Sequence, residues 1–539
     1  MKKLNAFLIA LILFGIFMRF YGLEDSLVWR DEAINIAAGI KLNQNNPYDA
    51  RFFASEHPPV AKFFLGLPSR FIQADYADVL AIQPHLFVYT YLAPFKEVVA
   101  PIRMMSALAG VAALIFIFFI SKEVHSLKAA LWSTALAALS LDMLIDSRLI
   151  YPNMYALMFS LGTVYFYIKY LKTPSAGKSE APSPATSFSV YFSENKKALY
   201  ALLMLAFLIL ALGSRLLYPA FLVPIILISH ILLRRGWKDT IFVLILNIFA
   251  LYVFLNVLYP PDLQQFAFEV HYGVQGYTGF LQTQFALPTV IQILLTRHSY
   301  AFLAAFILTL FSLLMFLRRL KKEHLNVRRI ALFCRSLDTR LVLALFFIIS
   351  FLIYSFTRYG LLIFYTSLLF LPLFIFAGHA IASSKRRIVP TVMSALLILN
   401  VYTIIALHPN YAEYANFDVK QFYVSDFYGS YDPLHIEEEV ISYLASIGSP
   451  QVISNNHNVL FKYEALPIPP PGHPDCNQQF IDSLRGSYIV YRGLYSTAPS
   501  FSEDPYICPE FRSLDIELVE SFETSSPEDR FPFYVYRIK

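Results

Sequence analysis

The sequence contains little charge for its length. Only 15% of its 539 residues are charged, whereas 57% are hydrophobic and 16% are aromatic. Soluble domains carry about 25% charged residues. This shortage of charge excludes an ordinary soluble domain and indicates a protein with many membrane-spanning segments.

Cysteine is equally scarce, with three residues in the whole chain. Cys334 lies in a basic stretch, whereas Cys476 and Cys508 lie near the C-terminal end. The latter two could form a disulfide in an oxidising compartment, and the sequence leaves open whether they do. No Cys or His spacing resembles a zinc site, and His57 is isolated. No motif requires a divalent metal, so we predict neither a metal site nor a bound cofactor.

Long apolar runs are abundant. A membrane-spanning helix needs about 20 mostly apolar residues. The candidate spans are residues 4–22, 102–120, 129–145, 153–171, 198–214, 216–233, 240–259, 299–317, 341–357, 360–383 and 388–407. The first is not a cleavable signal, because it lacks a small-residue cleavage site and further spans follow it. The predicted fold is mainly α, a polytopic membrane protein with about 11 transmembrane helices.

Lysine and arginine lie on one side of these spans. If Lys2 and Lys3 are cytoplasmic, the other cytoplasmic connections hold most of the basic residues, including those from Arg318 to Arg340. The opposite short connections hold almost none, as the positive-inside rule requires. The net charge of +5 therefore reflects membrane topology and does not indicate nucleic-acid binding.

Three segments on the outer side are long. They cover residues 23–101, 260–298 and 408–539. The last alternates a helix-like stretch, 434–447, with short strand-like runs such as 488–491 and 533–536. We therefore predict a transmembrane module over 1–407 and a small extracytoplasmic α/β domain over 408–539.

An acidic pair, Asp31-Glu32, follows the first span within the tract Trp29-Arg30-Asp31-Glu32-Ala33. A carboxylate at the bilayer surface can stay ionised and still reach a lipid headgroup. One interpretation is structural, because acidic residues favour the N-terminus of a helix, and a helix is expected to begin here. The other is a general base that takes the proton of an attacking hydroxyl group. The sequence leaves both open.

Basic side chains follow on the same side of the membrane. His57 and Lys62 belong to the tract His57-Pro58-Pro59-Val60-Ala61-Lys62, although the prolines could simply shape a loop. Arg148, Arg215 and Arg358 are nearly the only basic residues in the short outer turns. Each alone could be a snorkelling anchor. Together they indicate a phosphate site at the membrane surface, since guanidinium groups bind phosphate bidentately.

These motifs resemble, in order, those of the GT-C glycosyltransferases of the protein O-mannosyltransferase and ArnT group. The resemblance begins with the acidic pair and continues with the His-Pro-Pro-x-x-Lys tract in the same loop. It extends to the arginine tract Ser147-Arg148-Leu149-Ile150-Tyr151-Pro152-Asn153 and to the late pair Arg358-Tyr359. It covers roughly residues 1–410.

The resemblance implies a membrane glycosyltransferase that moves a sugar from a polyprenyl-phosphate donor, with inversion, to a hydroxyl or amine of a protein or lipid acceptor. Asp31 would be the base, with Glu32 beside it. The donor phosphate and lipid would be bound by His57, Lys62, Arg148, Asn153, Arg215, Arg358 and Tyr359. The family often has a second carboxylate where this chain has Asn153, which cannot act as a base. Either Asp31 suffices, or Asp146 takes the second acidic role.

Two other classes fit parts of the pattern. An oligosaccharyltransferase should contain a Trp-Trp-Asp tripeptide, but the only tryptophans are Trp29, Trp132 and Trp237. A polytopic transporter or a flippase for lipid-linked sugars would favour ionisable residues at mid-bilayer and inverted repeats. The compact tail resembles that of prokaryotic members of the group, so we expect the plasma membrane of a prokaryote rather than the endoplasmic reticulum, with the active site extracytoplasmic.

Overall fold

The structure is a computed structural model of the chain. The residues it describes are 2–23, 30–44, 58–72, 96–173, 184–215, 222–233, 237–258, 305–311, 342–348, 363–385, 387–407, 433–448, 450–454, 465–468, 476–492, 501, 507–522 and 533–539. The chain divides into two compact units. The first comprises Met1–Tyr21, Ser55–Lys62 and Met105–His408, and the second comprises Gly22–Ala54, Phe63–Met104 and Pro409–Lys539.

Helices dominate the chain up to residue 407. They are α1 (Lys2–Phe20), α2 (Arg30–Gln44), α3 (Pro59–Gly66), α4 (Lys96–Val124), α5 (Leu127–Ala138), α6 (Leu141–Asp146), α7 (Asn153–Lys172), α8 (Pro184–Leu212), α9 (Leu222–Leu232), α10 (Trp237–Val253), α11 (Ile363–Ser383) and α12 (Ile388–Leu407). A 3₁₀ turn, Leu67–Arg70, follows α3, and a π-helical turn, Phe254–Leu258, follows α10. Residues 305–311 and 342–348 are also helical.

Several of these helices are strongly apolar. Within the described residues, Lys3–Phe20, Val98–Val124 and Trp237–Leu258 are long and apolar enough to cross a membrane, judged by length and composition. Shorter apolar helices cover Leu222–Leu232, Pro372–Ser383 and Ile388–Tyr402. A mainly helical protein with several apolar helices is therefore confirmed, whereas the number of 11 spans stays a prediction.

Glycines allow the helices of the first unit to approach closely. A Cβ atom on Gly15 of α1 would lie 2.5 Å from the carbonyl oxygen of Ala138, and one on Gly378 of α11 would lie 2.2 Å from Oγ of Ser133. Both distances are shorter than van der Waals contact, so a larger residue would push the helices apart. Close backbone approach at small residues is a usual way for membrane helices to pack.

The predicted span 129–145 is not one continuous helix. Ser126 caps α5 by accepting a hydrogen bond from the backbone N–H of Ala129, and α5 ends at Ala138. Ser140 is extended, with φ −65° and ψ 122°, and α6 begins at Leu141. Neither proline nor glycine occurs at this break, and Ser140 stands at the N-cap of α6 without a side-chain cap hydrogen bond. The apolar composition predicted helical structure over this segment but not its interruption.

The C-terminal residues of the second unit form a mixed sheet. Its strands are β1 (Val452–Ser454), β2 (Leu466–Pro467), β3 (Tyr488–Arg492), β4 (Ile516–Phe522) and β5 (Phe533–Ile538), in the order β2-β1-β3-β5-β4. β1 is parallel to β2 and β3, whereas β5 is antiparallel to β3 and β4. Helices α13 (Pro433–Ser446), α14 (Gln478–Asp482) and α15 (Pro509–Arg512) accompany the sheet.

One core of this region surrounds a disulfide. Cys476 and Cys508 are bonded, with their Cα atoms 5.8 Å apart, which resolves the alternative that the sequence left open. Cys508 is completely buried in a cluster with Ile481 and Phe511. The predicted strand-like runs 488–491 and 533–536 lie in β3 and β5. That residues 408–539 form a separate extracytoplasmic domain stays a prediction.

Candidate functional site

The acidic pair lies in the first turn of α2, and its second member is bound to an arginine. Glu32 is completely buried, and its Oε1 and Oε2 accept hydrogen bonds from Nε and Nη2 of Arg103 at 3.1 and 2.9 Å. Nη1 of Arg103 also donates to the carbonyl oxygen of Leu23 at 2.8 Å. Asp31 is the second residue of α2, and its side chain lies outside the described residues.

This geometry limits the roles that are available to Glu32. Both oxygens of the Glu32 carboxylate accept hydrogen bonds from Arg103, and the side chain is completely buried. Breaking such a buried pair typically costs about 3–5 kcal/mol, because one charge is left uncompensated. Glu32 is therefore well suited to fix the start of α2, and its carboxylate is not exposed to an acceptor molecule.

Arg103 was not among the predicted site residues. It lies within the predicted span 102–120, where a charged side chain is expensive and usually paired or functional. Its position inside an apolar run was the signal that could have identified it. The sequence could not identify Glu32 as its partner, because the two residues are 71 positions apart.

The second motif begins α3. Pro59 occupies the first helical position, where its missing N–H costs nothing. The backbone N–H of Val60 donates to the carbonyl oxygen of Gly213 at 2.8 Å, so the start of α3 is joined to the turn after α8. Lys62 lies two residues further on and is only 1% exposed. His57 lies outside the described residues.

Two further predicted residues lie at the same end of the helix pair α7 and α8. These helices are antiparallel, since Phe159 contacts Phe207 edge to face and Phe166 stacks against Tyr200. The start of α7 at Asn153 is therefore level with the end of α8. Asn153 is 1% exposed, and Arg215, in the turn after α8, is 6% exposed. The hydrogen bond between Val60 and Gly213 brings Lys62 to this same end.

Asn153 is distinctive among these residues. Neither its Nδ2 nor its Oδ1 has a hydrogen-bond partner within the part of the chain that the structure describes. Leaving a buried amide unsatisfied costs about 1–3 kcal/mol. It stands at the first position of a 20-residue helix, where backbone N–H groups and the helix dipole favour an anion.

Arg148 stabilises the end of α1. Its Nη1 donates to the carbonyl oxygens of Met18 and Tyr21 at 2.8 and 2.5 Å, and the side chain is 5% exposed. Asp146, the last residue of α6, is completely buried in the same unit. Arg358 and Tyr359 lie outside the described residues.

The structure thus brings three of the predicted donor-binding residues, Lys62, Asn153 and Arg215, to one end of α7 and α8. In the described parts of the chain, one cluster of metal-ligating residue types occurs, formed by Cys476, Cys508 and Glu510. Both sulfur atoms of that cluster belong to the disulfide, so neither is a thiolate that could bind a metal.

No protein-family model and no curated protein matches this sequence. Among solved structures, the crystal structure of ArnT from Cupriavidus metallidurans in the apo state matches with a TM-score of 0.52 at 13% identity, covering 98% of this chain and 97% of that chain. The same protein bound to undecaprenyl phosphate matches with a TM-score of 0.49 at 13% identity, covering 98% of each chain. The S. cerevisiae protein O-mannosyltransferase Pmt1-Pmt2 complex bound to the sugar donor matches with a TM-score of 0.33 at 19% identity, covering 53% of this chain and 36% of that chain.

The match to apo ArnT shows that this chain shares the overall fold of that protein. The prediction of a GT-C type of fold is therefore confirmed.

Proposed function

We propose that this chain is a membrane glycosyltransferase that transfers a sugar from a polyprenyl-phosphate donor to an acceptor hydroxyl or amine at the extracytoplasmic face. The observation that carries the proposal is the burial of Lys62, Asn153 and Arg215, of which Asn153 and Arg215 lie at one end of α7 and α8 and Lys62 lies two residues after the backbone hydrogen bond to Gly213. Two cations and an amide at a helix N-terminus suit a phosphate group. The fold shared with ArnT supports the same conclusion.

In the proposed reaction, Asp31 takes the proton from the acceptor as the acceptor oxygen or nitrogen attacks the anomeric carbon. The bond between that carbon and the phosphate oxygen breaks, and the electron pair leaves with the phosphate. Because attack and departure occur on opposite faces in a single displacement, the anomeric configuration inverts. Lys62 and Arg215 stabilise the negative charge that develops on the leaving phosphate.

The engagement of Glu32 by Arg103 supports Asp31 as the base. Glu32 is completely buried and both its oxygens are bound by Arg103, so we assign the proton-accepting role to its neighbour in the same turn of α2. Arg148 and Arg358 complete the proposed donor site together with His57 and Tyr359. Asp146 is the candidate for a second acidic role, since Asn153 cannot accept a proton at neutral pH.

The decisive experiment reconstitutes purified protein in liposomes with a radiolabelled polyprenyl-phosphate sugar and candidate protein or lipid acceptors. We expect label to move to an acceptor in the wild-type protein, and transfer to fall by about 10²–10⁴-fold in Asp31→Asn. A flippase would instead carry the intact labelled lipid across the bilayer without covalent transfer. Movement of label across the membrane with no labelled acceptor would therefore overturn the proposal.

A further inference from the structure

At the break between α5 and α6, side chains from two other helices bind three backbone carbonyl groups. Arg19 of α1 donates from Nη1 to Ala138 at 2.9 Å and from Nη2 to Ala137 at 3.4 Å. Asn400 of α12 donates from Nδ2 to Leu139 at 3.3 Å. The last carbonyls of a helix lack the usual partner four residues on, although Ala137 also accepts from the backbone N–H of Ser140 at 3.3 Å. The side chains of Arg19 and Asn400 therefore stabilise the interruption.

The segment after the break also forms hydrogen bonds with α1, through Arg148. Arg148 binds the carbonyl oxygens of Met18 and Tyr21, on either side of the end of α1. Arg19 and Arg148 thus form a reciprocal arginine clamp, in which each arginine binds carbonyl groups of the other segment. The clamp fixes both ends of α6, because Arg19 binds carbonyl groups just before this helix and Arg148 lies two residues after its end.

The clamp is buried and therefore costly to build. Arg19 is completely buried and Asn400 is 3% exposed. In the described part of the chain, no carboxylate lies within ion-pair distance of Arg19, so carbonyl groups are what stabilise its charge there. A charged group inside a membrane protein is expensive and is usually associated with function. An uninterrupted helix over 127–146 would need neither side chain.

We propose that Arg19 and Asn400 are positioning residues for the donor site. By stabilising the break, they set the direction of α6. They thereby position Asp146, the last residue of α6, and Arg148, which lies two residues further on. This inference rests on the proposed function, because the two positioned residues are assigned to the reaction there. Neither Arg19 nor Asn400 needs to touch the donor.

The test compares Asn400→Leu and Arg19→Lys with Asn247→Leu as a matched control. Asn247 is an equally buried asparagine, but its Nδ2 donates to Val243 within its own helix. Each purified variant that elutes as a monodisperse species is assayed for the donor KM and for kcat at saturating donor. Hydrogen–deuterium exchange of the amides 139–148 is measured in parallel.

We expect Asn400→Leu and Arg19→Lys to raise the donor KM by about 10- to 100-fold, as small misplacements of binding groups do. We also expect faster amide exchange over 139–148 in both variants and unchanged values for both measurements in Asn247→Leu. Arg19→Lys keeps the positive charge but replaces the guanidinium with a single ammonium group. It therefore tests the inference if Asn400→Leu does not fold.

Two results would overturn the inference. One is a donor KM within twofold of the wild-type value in folded protein, because the side chains would then serve stability alone. The other is unchanged exchange over 139–148. If the wild-type protein transfers no sugar, the proposed function fails, whereas the exchange measurement still tests whether the two side chains hold α6.

Discussion

At the scale of single residues, the two members of the acidic pair have different surroundings. Glu32 is bound by Arg103 and completely buried. Asp31→Asn keeps the size of the side chain and most of its capping capacity but cannot accept a proton. We therefore expect this variant to lose at most about 1 kcal/mol of unfolding free energy, the value of a lost helix cap. We expect its transfer rate to fall by about 10²–10⁴-fold.

Glu32→Gln is the companion variant, and it should behave in the opposite way. Removing the negative charge leaves the buried guanidinium of Arg103 without its counter-charge, which costs about 3–5 kcal/mol. Thermal unfolding of both variants, measured beside their transfer rates, separates the two roles. Normal transfer in Asp31→Asn combined with abolished transfer in a stable Glu32→Gln would make Glu32 the base and Asp31 the structural residue. Normal transfer in both would make the motif structural.

Asn153 gives a second residue-scale prediction. If its amide binds the donor, Asn153→Ala should raise the donor KM by about 2- to 13-fold, the value of one ordinary hydrogen bond. If the amide is merely buried, its removal should leave KM unchanged and leave stability equal or higher. Asn247→Ala is the matched control, since it also has an unsatisfied buried Oδ1. Donor titration of the two variants checks the prediction.

At the scale of helices, Gly110 determines how closely α4 approaches the segment that carries Arg148. A Cβ atom at this position would lie 2.5 Å from Cβ of Ser147 and 3.4 Å from Nε of Arg19. Gly110→Ala must therefore displace one of these segments, at a typical overpacking cost of about 1–3 kcal/mol.

We expect Gly110→Ala to lower both the melting temperature and the affinity for the donor. Leu108→Ala, at an exposed position of the same helix, is the control and should change neither property by much. Equal stability of Gly110→Ala and the wild-type protein would mean that α4 can shift without disturbing Ser147.

The same scale shows what the sequence could predict and what it could not. The apolar runs predicted α1, α4, α7 and α12 because lipid-facing and buried positions both demand hydrophobic residues there. They did not predict the break after Ala138, because an apolar run continues through it and the side chains that bind its carbonyls, Arg19 and Asn400, lie far away along the chain. Lys62 and Asn153 were predicted as site residues from motifs, and Arg215 from its place in a short outer turn, whereas Arg103 required the observed contact with Glu32.

At the scale of the whole molecule, the three cysteines offer a test of topology without any substitution. Cys334 lies in the basic loop predicted to be cytoplasmic, and Cys476 and Cys508 form a disulfide. A membrane-impermeant maleimide should label Cys334 only in inside-out vesicles. It should label the other two only in right-side-out vesicles and only after reduction, because an oxidised pair has no thiol to react.

Labelling of Cys334 in right-side-out vesicles would reverse the predicted orientation. Labelling of the reduced pair from the same side as Cys334 would place residues 408–539 in the cytoplasm. Structural disulfides rarely persist in that compartment. Cleavage of the tail by added protease, compared between the two vesicle types, provides an independent check on the same assignment.

The burial of Arg19 also constrains the order in which the chain can be assembled in the membrane. Its carbonyl partners at Ala137 and Ala138 lie 118 and 119 residues further along the chain, so they have not been synthesised when α1 leaves the ribosome. Until then, the guanidinium must extend to the bilayer interface, as long basic side chains near helix ends do. We therefore expect α1 to enter the membrane before α5 but to reach its final depth only after α5 has been inserted. The final position of this helix would thus depend on a helix that is synthesised more than a hundred residues later.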